Sequence, residues 1–446
     1  MELEHFESLY PENTRFEEIK NIINFVKDGN SCQVVSAAGV GRSNLLSLFS
    51  YNRNIRIKHL GENQKNFHFV LLNFSEIRKR PLADANKFIF LGILDSLRER
   101  GMKKDYEKVN KIFKESIEFN DELVIFSGLK KIIDYFAIEK KLTLVLLFDR
   151  FEEYVPTLTS EFFANLRVLR NRAKYHFSVV FSLNRPLEDL IEPSLFADFF
   201  EFIAGRIIYL PIEDKPGLLF RISHLEKVSG KNIDKKTIDT ILNLTCGHGR
   251  LTILILETVL SLEGKMPTTN EQLIGYLLTQ RPIRSSLFAI WNSLNPSEQQ
   301  FFIDNEIEPI YLENVFMVRN GKITIPIFKD FIEKEIIKSG KYKDLLREKI
   351  VYDQNINEIA RGETVISDQL TSSELKLLKY LMVNNEKIVS KEEVISAVWS
   401  EKTTTLGVTD QALDQLVFRL RKKIEKFPNN PEHIVTIKGR GFKFKE

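Results

Sequence analysis

Three stretches near the end of the chain decide its C-terminal fold: LTSSELKLLKYLMVNNEKIVSKEEVISAVW from Leu370 to Trp399, VTDQALDQLVFRLRKKIEKF from Val408 to Phe427, and HIVTIKGRGFKFKE from His433 to Glu446. Thr371, with Glu374 three residues later, is a polar start signal for a helix carrying Leu375, Leu377, Leu378 and Leu381. Ser390 with Glu393 repeats the signal before a second helix that ends near Trp399. The third helix, from about Thr409, has two faces. Leu413, Leu416, Val417, Leu420 and Ile424 recur at the spacing of a buried stripe. Gln411, Gln415, Phe418, Arg419 and Lys422 recur on the opposite side. Alternating strand residues then flank a Gly439-Arg440-Gly441 turn. Three helices followed by a basic hairpin form a winged helix.

These residues carry a family resemblance. LTSSE at the first helix, a Trp ending the second, VxDxxxDxxxxRLRKK in the third and TIKGRGFKF in the hairpin resemble the OmpR/PhoB-type winged-helix effector domain. The resemblance implies a third helix in the DNA major groove and a wing across the neighbouring minor groove. It implies that Arg419 contacts a base edge, since its fork can take guanine O6 and N7 together. Gln411, Gln415 and Arg421 would grip phosphates or neighbouring bases, Phe418 and Lys422 would share the DNA-facing helix, and Lys438 and Arg440 would lie on the wing at the minor groove or backbone. Basic residues are usual in the family where this chain has Gln411 and Phe418, which bears on its site preference. A solvated basic helix in a protein-binding winged helix is the alternative.

Charge favours DNA locally. The whole chain is +3, yet nine Lys/Arg stand against three Glu between Gln415 and Glu446. Such a patch gives sequence-independent attraction to phosphates with a steep salt dependence. The near-balanced remainder argues against a general nucleic-acid coat.

The 446 residues are enough for three or four domains, and 43% hydrophobic with 28% charged residues is an ordinary globular composition. Cys32 and Cys246 make neither a disulfide framework nor a metal quartet, and the seven histidines are scattered. Apolar runs such as Leu142 to Phe148 are far too short to span a membrane, and the acidic, polar start is unlike a signal peptide. A cytoplasmic location is expected.

A second constellation lies near the other end. Gln33-Val34-Val35-Ser36 reads as a buried strand and Asn44 to Phe49 as the start of a helix, with Ser36-Ala37-Ala38-Gly39-Val40-Gly41-Arg42-Ser43 between them. Strand, glycine loop and helix is the context of a phosphate-binding loop, whose backbone N–H groups and helix dipole attract anions. Ser36 replaces the first Gly of the full pattern and Arg42 replaces the Lys. The continuous run Leu142 to Phe148 predicts a central parallel strand ending at Asp149-Arg150-Phe151-Glu152-Glu153. An acid there can hold a magnesium water shell, and Glu152 or Glu153 can orient an attacking water. A third strand, Phe177 to Ser182, ends in Asn184-Arg185-Pro186, where a γ-phosphate sensor would stand. A solvated helix start for Glu152-Glu153 and a surface salt bridge for Arg185 are the plain alternatives.

Residues 12–275 resemble the STAND branch of the AAA+ P-loop ATPases, through RFEEI, SAAGVGRSNLL, LLFDRFEE, SLNRP and CGHGR. The resemblance implies an ATP or ADP switch with Mg²⁺ in which nucleotide holds core and lid together and opening exposes an assembly surface. It places Gly39, Gly41, Arg42, Ser43 and Asn44 on phosphate, Ser43 and Asp149 on Mg²⁺, Glu152 or Glu153 as catalytic acid and Arg185 as sensor. Ser36, Arg42 and Gly249 depart from the pattern, so turnover is expected to be weak if present.

Between these parts, helical stretches from Ser285 and Leu294 precede a hairpin signal, Val315 to Val318, Asn320-Gly321 and Ile323 to Pro326. They suggest a middle winged helix without a basic face. A charged stretch, Lys338 to Lys349, follows, and Asp353 to Asp368 would supply a small sheet. The expected architecture is an α/β P-loop NTPase core with a parallel sheet (1–210), a helical lid (211–282), a winged-helix-like middle domain (283–345) and an α+β winged helix-turn-helix domain (346–446). The expected function is transcription regulation on double-stranded DNA, with nucleotide-dependent homo-oligomerisation and, by resemblance, an RNA polymerase contact at the Trp399 to Val408 loop. A DNA-remodelling or replication-initiator ATPase and a STAND signalling or defence scaffold are the alternatives.

Overall fold

The computed structural model describes residues 5–119, 121–191, 193–262, 267, 269–304, 309–337, 350–353, 358–361, 364–367, 370–399, 410–425, 428, 431–437 and 439–445. Two compact units emerge: Met1–Ser293 with Pro309–Lys329, and Leu294–Glu308 with Asp330–Glu446. The segment expected as a middle winged helix is therefore divided between them.

In the first unit, β1 (Cys32–Val35), β2 (Phe67–Asn73), β3 (Thr143–Asp149), β4 (Phe177–Leu183) and β5 (Ile207–Tyr209) form a parallel sheet in the order β2-β3-β4-β1-β5. Every residue of β1, β3 and β4 is buried, as strands covered on both faces require. Because all five run the same way, the loops after β1, β3 and β4 gather at one edge, where ligands of open α/β sheets bind. Helix α1 (Phe16–Lys27) precedes β1, and α2 (Arg42–Tyr51) follows its glycine loop.

Beyond β5 come α3 (Lys215–Ser229), α4 (Lys235–Thr245), α5 (Gly249–Leu260), α6 (Asn270–Thr279) and α7 (Arg281–Asn292). Asp214, Asp234, His248 and Thr269 cap the first four, each side chain accepting a first-turn N–H. The hairpin of β6 (Val318–Arg319) and β7 (Lys322–Ile323) turns on Asn320 (φ 51°) and Gly321 (φ 70°). Positive φ at both positions is what a type I′ two-residue hairpin turn demands.

The second unit carries an antiparallel sheet of β8 (Ile350–Asp353), β9 (Glu358–Arg361) and β10 (Thr364–Val365). Helices α8 (Ser372–Val383), α9 (Lys391–Val398) and α10 (Asp410–Ile424) follow. Both N-terminal signals close as reciprocal capping boxes, Thr371 with Glu374 and Ser390 with Glu393. Strands β11 (Ile388–Val389), β12 (Ile434–Ile437) and β13 (Gly441–Phe444) pair in the order β11-β13-β12. Leu377, Leu378, Leu381, Leu413, Leu416 and Leu420 lie in the shared core.

Candidate nucleotide cleft and nucleic-acid interface

Gly39 (φ 83°) and Gly41 (φ 111°) let the loop after β1 turn through backbone conformations that side chains resist. Gly41 stands at the N-cap of α2 and, having no side chain, leaves the first-turn N–H groups without a side-chain cap from that position. The loop forms one wall of a cleft of about 500 Å³, with Glu152 and Glu153 on another and Arg221, Arg250 and Glu257 of the helical segment facing them. Asp149 is buried at the end of β3, and its Oδ1 accepts from Ser43 Oγ at 2.9 Å and Ser182 Oγ at 3.2 Å. A hydroxyl and a carboxylate converging in this way are the oxygen donors a magnesium site uses.

Arg42 Nη2 lies 2.8 Å from Glu152 Oε1, both side chains being mostly buried. Arg42 Nη1 and Glu152 Oε2 are buried and make no hydrogen bond among the described residues. Burial lifts the Glu152 carboxyl above its ordinary range, although the Arg42 charge opposes the shift. Glu153 is held differently, by Arg78 and by Arg150 at 3.3 Å.

Two expected site residues lie elsewhere. Arg185 does not line the cleft: its Nη2 donates to Ser293 O at 3.2 Å and its guanidinium stacks on Tyr311 at 4.2 Å. A backbone carbonyl and an aromatic face hold the cation there. Asn44 is also absent from the lining and reaches the Tyr10 hydroxyl.

Two residues without an assigned role reach the loop. Arg15, the first residue of RFEEI, is buried at φ 48° and donates to Val40 O at 3.0 Å and Pro211 O at 2.7 Å. Burial depresses its pKa, while Asp214 and Glu18 oppose the shift. His248 is fully buried, with Nε2 2.9 Å from Ala38 O and Nδ1 accepting from Leu251 N. A Cβ on Gly39 would stand 2.7 Å from the His248 ring. The glycines flanking His248 were its sequence signal; a contact across 210 positions leaves none.

On α10, Gln411, Gln415, Arg419 and Lys422 are exposed on one face. Phe418 corrects the expected pattern. It is only 9% exposed, as an apolar ring favours, and Lys422 Nζ lies 4.7 Å from the ring centroid. Arg421 donates from Nε (3.0 Å) and Nη2 (2.7 Å) to Ile434 O, and from Nη2 to Thr436 Oγ1 (2.6 Å), tying the helix to the wing. Arg440 is exposed in the wing turn. Lys438 lies outside the described residues, as do residues 400–408 of the expected polymerase-contacting loop and residues 338–349. Lys423 is turned toward α8, where it pairs with Glu374 at 2.6 Å. Burial alone would raise the Glu374 carboxyl, but hydrogen bonds from Lys423 and the Thr371 N–H hold it below its usual range.

Together these features define a protein with an α/β parallel-sheet core, a glycine-loop cleft at the sheet's carboxyl edge and a C-terminal winged helix. Residues 367–444 match the family described as Transcriptional regulatory protein, C terminal, and form an OmpR/PhoB-type winged-helix DNA-binding domain. The Sensory transduction protein RegX3 of Mycobacterium tuberculosis is 40% identical over 82 residues, 18% of this chain and 34% of the relative. The Uncharacterized transcriptional regulatory protein YcbL of Bacillus subtilis is 36% identical over 93 residues, 21% and 38% respectively. The chain thus spans about a third of the length of these curated relatives. Among solved structures, the Klebsiella pneumoniae RstA DNA-binding domain in complex with RstA box covers 22% of this chain and 90% of its own, at 20% identity and TM-score 0.17. The Walker-type ATPase paby2304 of Pyrococcus abyssi covers 99% and 95%, at 10% identity and TM-score 0.36. No described helix is long and apolar enough to cross a membrane.

Proposed function

We propose that this chain is a sequence-specific transcription regulator whose STAND-type core binds ATP or ADP and thereby controls assembly on double-stranded DNA. The observation that carries this reading is the polar face of α10, where Gln411, Gln415, Arg419 and Lys422 stand exposed within the family-matched segment. Arg419 reads a base edge, Gln411 and Gln415 contact phosphates or neighbouring bases, and Arg440 and Lys438 serve the wing. Arg421 supports the reading head from behind by fixing β12 to the helix.

In the core, Gly39 and Gly41 shape the phosphate loop, the first-turn N–H groups of α2 face the anion, and Arg42 supplies its cation. Ser43 and Asp149 are the residues that would hold Mg²⁺, which when bound neutralises phosphate charge. Glu152 or Glu153 would orient water in any turnover. Residues 211–282 act as the lid, and the Trp399 to Val408 loop touches RNA polymerase. One winged helix offers few contacts, so useful specificity calls for two or more copies on adjacent half-sites.

The test is selection from a random duplex pool at moderate salt, with and without ATP and Mg²⁺. A selected motif with repeated half-sites, tightened by nucleotide, is the expected result. A steep salt slope without any motif, indifferent to nucleotide, would refute the reading.

A further inference from the structure

The cation of the phosphate loop is already in use. Arg42 and Glu152 face each other at 2.8 Å, with side chains only 14% and 16% exposed. A pair this shielded is poorly screened, and separating it leaves a buried charge without a partner. The pairing also cancels the charge that would draw phosphate to the loop. Yet it leaves part of each group unsatisfied, because among the described residues Arg42 Nη1 has no hydrogen-bond acceptor and Glu152 Oε2 has no donor. The idle edge can still donate to a phosphate, but phosphate and carboxylate then share a single positive charge and repel each other across it.

Resting on the nucleotide-binding reading above, we infer that Glu152 is a gate on the cleft, holding Arg42 away from phosphate until a bound nucleotide displaces it. The residue therefore sets nucleotide affinity, a role separate from orienting water. Glu153 cannot act in the same way, since Arg78 and Arg150 hold it and it does not touch Arg42.

The experiment is a titration of the full-length protein with fluorescent ADP and Mg²⁺. ADP is chosen because blocking hydrolysis cannot alter its affinity. Glu152→Gln keeps the shape, removes the charge and is expected to tighten ADP binding about tenfold. Glu153→Gln removes the same charge from the same cleft and is expected to gain no more than about twofold. Glu152→Ala tests the same direction should the Gln variant fold poorly. Unchanged or weaker ADP binding by the folded Glu152 variants overturns the gate while leaving nucleotide binding intact. Equal tightening by both Gln variants overturns it too, because general charge removal then accounts for the gain. If neither the parent protein nor any variant binds ADP, the nucleotide reading falls and the gate falls with it.

Discussion

His248 joins two distant stretches through one imidazole, and its chemistry gives that junction a pH dependence. Its Nδ1 accepts the Leu251 N–H, so the ring proton sits on Nε2 and points to Ala38 O. Burial, the largest cause, pushes its pKa down to about 4; the Ala38 bond opposes this and the Arg250 charge adds to it. The unfolded chain binds the proton near pH 6.5, whereas the folded one waits until about 4. Between those values the unfolded state holds more protons, so stability falls as pH drops through the window and is fully present above it. The linked loss is roughly 3 kcal/mol at the acid end. Trp291 belongs to the first unit and Trp399 to the second, so Trp291 fluorescence in a Trp399→Phe background follows the core alone. Urea unfolding from pH 7.5 to 4.5 should show the loss, and His248→Asn should flatten its slope. An equal slope in that variant would assign the acid sensitivity elsewhere. Arg419 is the corresponding residue on the DNA side. Arg419→Ala should cost about 1–3 kcal/mol at one base position of the selected site and relax preference there. Binding that is unchanged for every base would remove Arg419 from the reading head.

At the level of elements, the wing hairpin depends on one glycine. Gly441 adopts φ 121°, and a Cβ there would lie 2.0 Å from Val389 O in the neighbouring strand. Gly441→Ala must therefore push β13 away from β11, with an expected loss of at least 2 kcal/mol seen as a lower melting point of the second unit. DNA affinity should weaken with it, since Arg440 occupies the same turn. The sequence made such local features legible. Thr371 with Glu374 and Ser390 with Glu393 announce their helix starts, and β3 declares itself by an unbroken apolar run. Asn320-Gly321 likewise marks its hairpin. These signals act over a few residues or a single period. Other placements follow partners far along the chain. Arg185 is held by Ser293 and Tyr311, and Arg421 by Ile434 and Thr436. Phe418 falls at the spacing of the polar face, yet its ring is buried. Helical spacing fixes the direction in which a side chain leaves the helix, and the surroundings decide whether water reaches it.

At the level of the whole molecule, the proposal requires the cleft and the winged helix to be coupled, and coupling is a measurable free energy. If nucleotide promotes assembly on DNA, then tandem-site DNA must tighten nucleotide binding by the same factor, because linkage is reciprocal. A single half-site does not report assembly, since it engages one copy only. The gain from a second half-site does report it, through the higher effective concentration of a partner already held by the core. Asp149→Asn removes the carboxylate on which Ser43 and Ser182 converge but lies in the other unit from α10. It should therefore leave single-site affinity near that of the parent protein while abolishing the nucleotide-dependent gain on tandem sites. Fluorescence anisotropy on one-site and two-site duplexes, with and without ATP and Mg²⁺, measures both quantities in one series. A tandem gain that persists in the folded Asp149→Asn protein would mean that the DNA-binding copies associate without the cleft. Equal loss on one-site and two-site DNA would instead mean that the substitution damages the reading head. Selective loss on tandem sites, matched by tandem DNA tightening ATP in the parent protein alone, is the pattern that nucleotide-controlled assembly predicts.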